Sequence, residues 1–153
     1  MANTYTQIYI QIVFTVQGKR NLIPMNCRDE LYKYITGIVT NRGQKLIRIN
    51  GMPDHLHILI GLQPSMAISN LVRDIKAISS KFVNEKNWVR SKFNWQVGFG
   101  AFSYGHSQLN RIIHYIDNQA KHHQKRSFKE EYIELLRKFK IDFDEKYLFE
   151  LDD

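Results

Sequence analysis

The sequence predicts an α+β fold, an antiparallel sheet carrying amphipathic helices on one face. Three observations predict it. Apolar residues recur at every second position in short stretches, the period of a half-buried strand. Elsewhere they recur at three- and four-residue spacing, the stripe of a helix that buries one side. Turn residues cut these stretches into the order strand, helix, strand, strand, helix, strand, followed by further helix.

Residues 5 to 15 alternate, with Ile8, Ile10, Ile12 and Phe14 on one face and Tyr9 and Gln11 on the other. Gln17-Gly18-Lys19-Arg20-Asn21 ends this strand, and Pro24 suits a helix start. Leu31, Tyr34, Ile35, Ile38 and Val39 form the stripe of a first helix, which stops at Asn41-Arg42-Gly43. Lys45 to Asn50 reads as a second strand and residues 55 to 62 as a third. The short turn Gly51-Met52-Pro53-Asp54 makes these two an antiparallel hairpin. Ile68, Leu71, Val72, Ile75, Ile78 and Phe82 give the second helix its buried side. Trp95 to Tyr104 reads as a fourth strand, where Gly98 and Gly100 mark either a close approach or a bulge. Gly105 breaks it and Ser107 is an N-cap candidate for a third helix over 107 to about 123, with Leu109, Ile112, Ile113, Ile116 and Ala120 as its apolar stripe. Residues 127 to 139 read as a further helix buried through Phe128, Tyr132, Leu135, Leu136 and Phe139. This order is the split βαβ, ferredoxin-like βαββαβ arrangement, in which two helices cover one sheet face and the other is expected to stay available.

The length of 153 residues suits one domain with a substantial core. A single cysteine, Cys27, excludes an intrachain disulfide framework and a cysteine-rich zinc site, and fits a cytoplasmic protein. No apolar run approaches the ~20 residues of a membrane span, and the first residues lack the layout of a secretory signal. The net charge is +7, and it is uneven: residues 141 to 153 hold six carboxylates against Lys146, so the first 140 residues carry +12. A body so basic favours a polyanion, most commonly nucleic acid. Arg73, Lys76 and Lys81 on the second helix, with Lys19 and Arg20, are candidate phosphate contacts. The acidic end, with Tyr147, Leu148 and Phe149, is expected to pack back on the body.

Two constellations carry chemistry. On the third strand His55 and His57 point one way while Leu56, Ile58 and Ile60 point into a core. Backbones two residues apart on a strand are about 6.6–7 Å apart. Their imidazoles can converge on one ion at about 2.1 Å. Such pairs also occur as ordinary hydrogen-bonded histidines, so a second feature must decide. At about 100° per residue, Tyr115 lies roughly 120° from the centre of the third helix's stripe, with Gln119 and His122 one and two turns later on the same side.

His55-Leu56-His57 on a strand, preceded by Pro53-Asp54 and followed by Trp95 to Ser103, Tyr115, Asn118-Gln119 and His122-His123, resembles the HUH single-tyrosine transposases of small bacterial insertion sequences, the TnpA type. It also resembles their REP-associated relatives. The resemblance runs from the first strand through residue 126, so residues 1–126 are expected to form the transposase domain, with 127–153 as a C-terminal helix and acidic tail of the same domain. It implies cleavage and rejoining of single-stranded DNA at hairpin-flanked ends, with Tyr115 as nucleophile and a 5′-phosphotyrosine intermediate. It implies Mg²⁺ or Mn²⁺ held by His55, His57 and Gln119, no nucleotide cofactor, and a homodimer that shares its active sites between chains. Leu59 and Gly61 occupy the same-face positions after the pair, so the third histidine of relaxase-type relatives is missing. His122 is a candidate DNA contact, while His114 and His123 receive no role. The alternatives are an RNA-recognition-like binding module, with Tyr5 and Tyr9 stacking bases on an open sheet, and a domesticated relative that processes hairpins.

Overall fold

The computed structural model describes residues 3–18 and 21–148. Its strands are β1 (Tyr9–Thr15), β2 (Lys45–Met52), β3 (His55–Gly61) and β4 (Gly100–Tyr104), joined by α1 (Arg28–Asn41) and α2 (Ile68–Lys86). Three helices follow: α3 (Leu109–Asp117), α4 (Gln119–His122) and α5 (Phe128–Lys138). The sheet order is β2-β3-β1-β4 with every pairing antiparallel, as the split βαβ reading predicts.

Alternation along β1 and β3 divides the interior into two cores. Ile12, Phe14, Leu56, Ile58 and Ile60 face α1 and α2 and pack with Leu31, Ile35, Leu71, Val72 and Ile75. On the opposite face, Val13 and Leu59 pack with Phe102, Tyr104, Ile112, Ile116, Phe128, Leu135 and Leu136. The second face is therefore not available as expected. Helices α3 to α5 cover it, because α3 and α5 each carry an apolar side that the first core has no room to take. Positions 55 to 60 of β3 are accordingly buried on both faces.

Three local expectations change. The fourth strand is shorter than Trp95–Tyr104: Trp95 makes only an isolated bridge to Val16, and Val97 is exposed. Gly98, at φ +93°, turns the chain in the left-handed region. Gly100 is a close approach, since a Cβ there would lie 2.8 Å from the Tyr132 ring. The entry to α3 is a 3₁₀ turn capped at Gly105, whose N–H donates to Gln108 Oε1 at 2.8 Å, so Ser107 is not the cap. Finally, the helix over 107 to 123 is broken at Asn118, which separates α3 from α4. The break turns α4 so that Gln119 is buried and Ala120 is exposed, the reverse of the apolar stripe expected there.

Helix α5 begins at a capping box, with Ser127 Oγ accepting from Glu130 N–H and the Glu130 carboxylate accepting from Ser127 N–H. Leu148 packs back against the second core and its carbonyl accepts from Gln96. Phe149 and the last residues lie outside those described, as do Lys19 and Arg20.

Candidate active site

His55 and His57 project from β3 toward α3, α4 and α5, and both are almost wholly buried. The helix break at Asn118 lets Gln119 reach back to the sheet. His55 Nε2 stands 2.9 Å from Gln119 Oε1, and Gln119 Nε2 donates to Glu131 Oε2 at 3.0 Å. Tyr115 also reaches this point. Its ring lies 5.9 Å from that of His57, and its hydroxyl donates to Glu131 Oε2. The C-terminal turn of α3 is held to the sheet by Asn50 of β2, whose side-chain amide donates to the Ile116 carbonyl at 2.8 Å.

Glu131 is the residue that sequence reasoning missed. It is fully buried, and its Oε1 lies 3.2 Å from His57 Nε2, 3.5 Å from His55 Nε2 and 2.9 Å from His123 Nε2. The missed signal was its register: Glu131 lies three residues after Phe128 and four before Leu135, on the stripe α5 buries, where an unpaired carboxylate is costly. His123, left without a role, joins the cluster. Its Nδ1 faces the Arg126 carbonyl at 3.0 Å and its Nε2 faces Glu131, so both ring nitrogens meet acceptors.

The protonation states follow from these contacts. Burial pulls the His57 imidazole below its ordinary range, and Glu131 opposes that only in part. Burial also works against ionising Glu131, but hydrogen bonds from His123 and His57 hold its carboxyl well below the usual carboxylate range. Burial opposes a charge on His123, yet the Glu131 carboxylate raises it overall. Burial, with the charge of Glu131, pushes the Tyr115 phenol far above its ordinary value; Arg126, 3.5 Å from the hydroxyl, pulls the other way. Tyr115 is thus held as a neutral phenol in this arrangement.

The donor set fits a divalent cation. One ligand atom each from His55, His57 and Glu131 lies within 4.8 Å of the others, and all three residues are buried. Asp54 Oδ1 faces His55 Nδ1 at 2.7 Å, the carboxylate–histidine pairing that orients a metal-binding imidazole. Two imidazoles with a carboxylate and an amide oxygen suit Mn²⁺ or Mg²⁺.

The candidate phosphate contacts divide. His122 belongs to the site, its ring 4.7 Å from that of Tyr115. Arg73, Lys76 and Lys81 lie on α2, which packs on the other sheet face. Arg73 pairs with Asp74. Lys76 ties α2 to the carbonyls of Gln96 and Gly98, and burial lowers its ammonium to about 8. Lys81 borders a separate surface hollow with Ser80 and Lys92. Arg111, Lys121, Lys125 and Arg126 line, with His114, Tyr115 and His122, a cavity of about 610 Å³. No helix among the described residues is long and apolar enough to cross a membrane.

A split βαβ sheet with a histidine pair on its buried third strand and a helical tyrosine over it has the layout of a transposase that cleaves and joins DNA. The family model described as Transposase IS200 like matches residues 4–119, about three quarters of the chain, and the chain belongs to that family. The ISDra2 transposase TnpA of Deinococcus radiodurans is 24% identical over 120 residues, covering 74% of this chain and 84% of its own. A crystal structure of a transposase from Deinococcus radiodurans superposes with a TM-score of 0.61 at 19% identity, over 76% of this chain and 94% of that one. A REP-associated tyrosine transposase, solved bound to a REP hairpin, superposes with a TM-score of 0.57 at 17% identity, over 76% and 68%. These two structures share the α+β fold. Glu131 and α5 lie beyond the matched residues.

Proposed function

We propose that this transposase cuts and rejoins single-stranded DNA at hairpin-flanked ends through a covalent bond to Tyr115. The observation that carries this reading is the convergence of Tyr115, His55, His57, Gln119 and Glu131 at one buried point between β3 and the helices. Tyr115 Oη bonds to the scissile phosphorus and the P–O3′ bond breaks. The phenol proton passes to solvent as the bond to phosphorus forms, Glu131 orienting the hydroxyl through its hydrogen bond, and the leaving 3′-oxygen takes a proton from water. Rejoining is the reverse transfer to another 3′-hydroxyl, so phosphodiester energy is conserved and no nucleotide cofactor is required.

His55, His57 and Glu131, with Gln119, would hold the cation, Mg²⁺ or Mn²⁺. When bound it supplies positive charge against the developing charge on the phosphate. The chain's own residues do the rest. Asp54 orients His55, and Asn50 fixes the end of α3 that carries Tyr115. Arg126 sits against the nucleophile's oxygen, and burial excludes water from the histidine pair. The strand enters along the cavity of Arg111, Lys121, Lys125 and Arg126, whose cations pair with its phosphates. The His122 ring lies beside the reacting tyrosine, tilted by 30°.

The homodimer implied by the family resemblance is part of the proposal. Tyr115 already stands beside its own chain's His57. The resemblance implies sites shared between two chains, and in this arrangement each tyrosine also stands within reach of its own chain's histidine pair. Mixing a His57→Ala chain with a Tyr115→Phe chain tests this: a contained site leaves the mixture dead, and an exchanged site restores activity. The covering of the second face by α3 to α5 argues against an open-sheet base-stacking module.

The function is tested with labelled single-stranded hairpin DNA from the chain's own locus, incubated with Mn²⁺ or Mg²⁺ and run on a denaturing gel. A metal-dependent covalent band, absent in Tyr115→Phe, is expected. Tight hairpin binding without a band would point to a domesticated binding relative, and no binding would overturn the substrate.

A further inference from the structure

Gln11 has no part in the mechanism above, yet it is fully buried on the histidine side of β1. It bridges two side chains. Tyr104 Oη donates to Gln11 Oε1 at 2.7 Å, and Gln11 Nε2 lies 2.8 Å from His57 Nδ1. An amide has one donating end and one accepting end, and its two orientations occupy nearly the same space. With Oε1 toward Tyr104, Nε2 donates to His57 Nδ1. Nδ1 must then carry the lone pair, and the single proton of a neutral imidazole sits on Nε2. That N–H points at Glu131 Oε1, 3.2 Å away.

This tautomer cannot hold a cation through Nε2, because Nε2 has no free lone pair. The cation-binding tautomer carries its proton on Nδ1, and that N–H needs an acceptor. Gln11 is the partner that Nδ1 has. Turning the amide over puts Oε1 against Nδ1–H and Nε2 against Tyr104 Oη, which accepts as readily as it donates. His55 differs in its Nδ1 partner: the carboxylate of Asp54 only accepts when ionised, so Nδ1 carries a proton whichever way Nε2 meets Gln119 and Glu131.

We propose that Gln11 is a positioning residue that selects the tautomer of His57, its amide turning over to give the site the ligand form. The pair is therefore built asymmetrically, with His55 fixed by Asp54 and His57 set by a reversible amide that Tyr104 backs. This inference rests on reading His55, His57 and Glu131 as a cation site.

The test compares the full chain with Gln11→Glu, an acceptor at the same place, and Gln11→Met, similar in length with no acceptor for Nδ1–H. Mn²⁺ affinity is read by calorimetry. The His57 tautomer is read from ¹⁵N shifts of the metal-free protein, and folding by thermal unfolding. Gln11→Met is expected to weaken Mn²⁺ binding about 10–100-fold, the usual effect of losing an outer partner of a metal-binding histidine. Gln11→Glu is expected to bind Mn²⁺ at least as tightly as the parent and to carry the His57 proton on Nδ1. Unchanged affinity in folded Gln11→Met overturns the proposal, as does equal weakening in both variants, which marks a packing role. A His57 Nδ1 that stays unprotonated in Gln11→Glu also overturns it, whether or not Mn²⁺ binds. Failure of the cation-site reading is separate: the parent would then bind Mn²⁺ no better than His57→Ala.

Discussion

The two faces of one sheet differ in what they bury. Toward α1 and α2, strands β1 and β3 present Ile12, Phe14, Leu56, Ile58 and Ile60. Toward α3, α4 and α5 the same strands present Gln11, Val13, His55, His57 and Leu59. Both faces are buried, but the second carries the histidine pair and Gln11, and these polar groups are joined to their neighbours by hydrogen bonds. Alternation thus separates tasks at single-residue resolution. One face supplies apolar burial, and the other holds ionisable groups where low dielectric makes each charge count.

Substitutions on the two faces should therefore have different signatures. The largest effect is expected from Tyr115→Phe, which removes the hydroxyl bonded to Glu131: covalent DNA linkage falls to background while hairpin binding, read by gel shift, persists. Next is Ile58→Ala on the apolar face. Ile58 is fully buried, so stability in urea should fall by about 2–5 kcal/mol. The Mn²⁺ affinity of the folded fraction should not change; if it does, the two faces are not separable. Glu131→Gln is expected to weaken Mn²⁺ binding at least as much as the about 10–100-fold cost of losing an outer partner, read by calorimetry. Unchanged binding would remove Glu131 from the donor set.

The smallest effect concerns Lys76, on the α2 side. Burial lowers its ammonium from the ordinary 10.5 to about 8 in the folded chain. Between those values the unfolded chain binds more protons, so stability gains a positive slope with pH. Below about 8 the lysine is charged in both states and that gain is absent. Thermal unfolding across this range should show a more positive slope for the parent than for Lys76→Met. Equal slopes would mean that Lys76 titrates as if exposed.

Much of this was legible in the sequence, for identifiable reasons. Strand alternation placed His55 and His57 on one face, because a period of two leaves no choice. Helical spacing brought Tyr115 and Gln119 together even though Asn118 breaks the helix between them. What was not legible depends on docking. An amphipathic stripe shows that α5 buries one side but not against what, so Glu131 was hidden among its packing residues. The same gap left the second sheet face looking open and left His123 without a role. Charge was legible but its placement was not: Arg73, Lys76 and Lys81 lie on α2 over the other sheet face, whereas Arg111, Lys121, Lys125 and Arg126 line the cavity beside Tyr115 once α3 and α4 fold over the sheet.

The most direct measurement is to digest the covalent protein–DNA product with protease and locate the linked peptide by mass spectrometry. Tyr104, Tyr115 and Tyr132 pack in one cluster on this side of the sheet. A 5′-phosphate linkage on Tyr115 is the predicted result. Linkage to Tyr104 or Tyr132, or a product with no protein attached, would contradict the assignment of the nucleophile and the mechanism built on it.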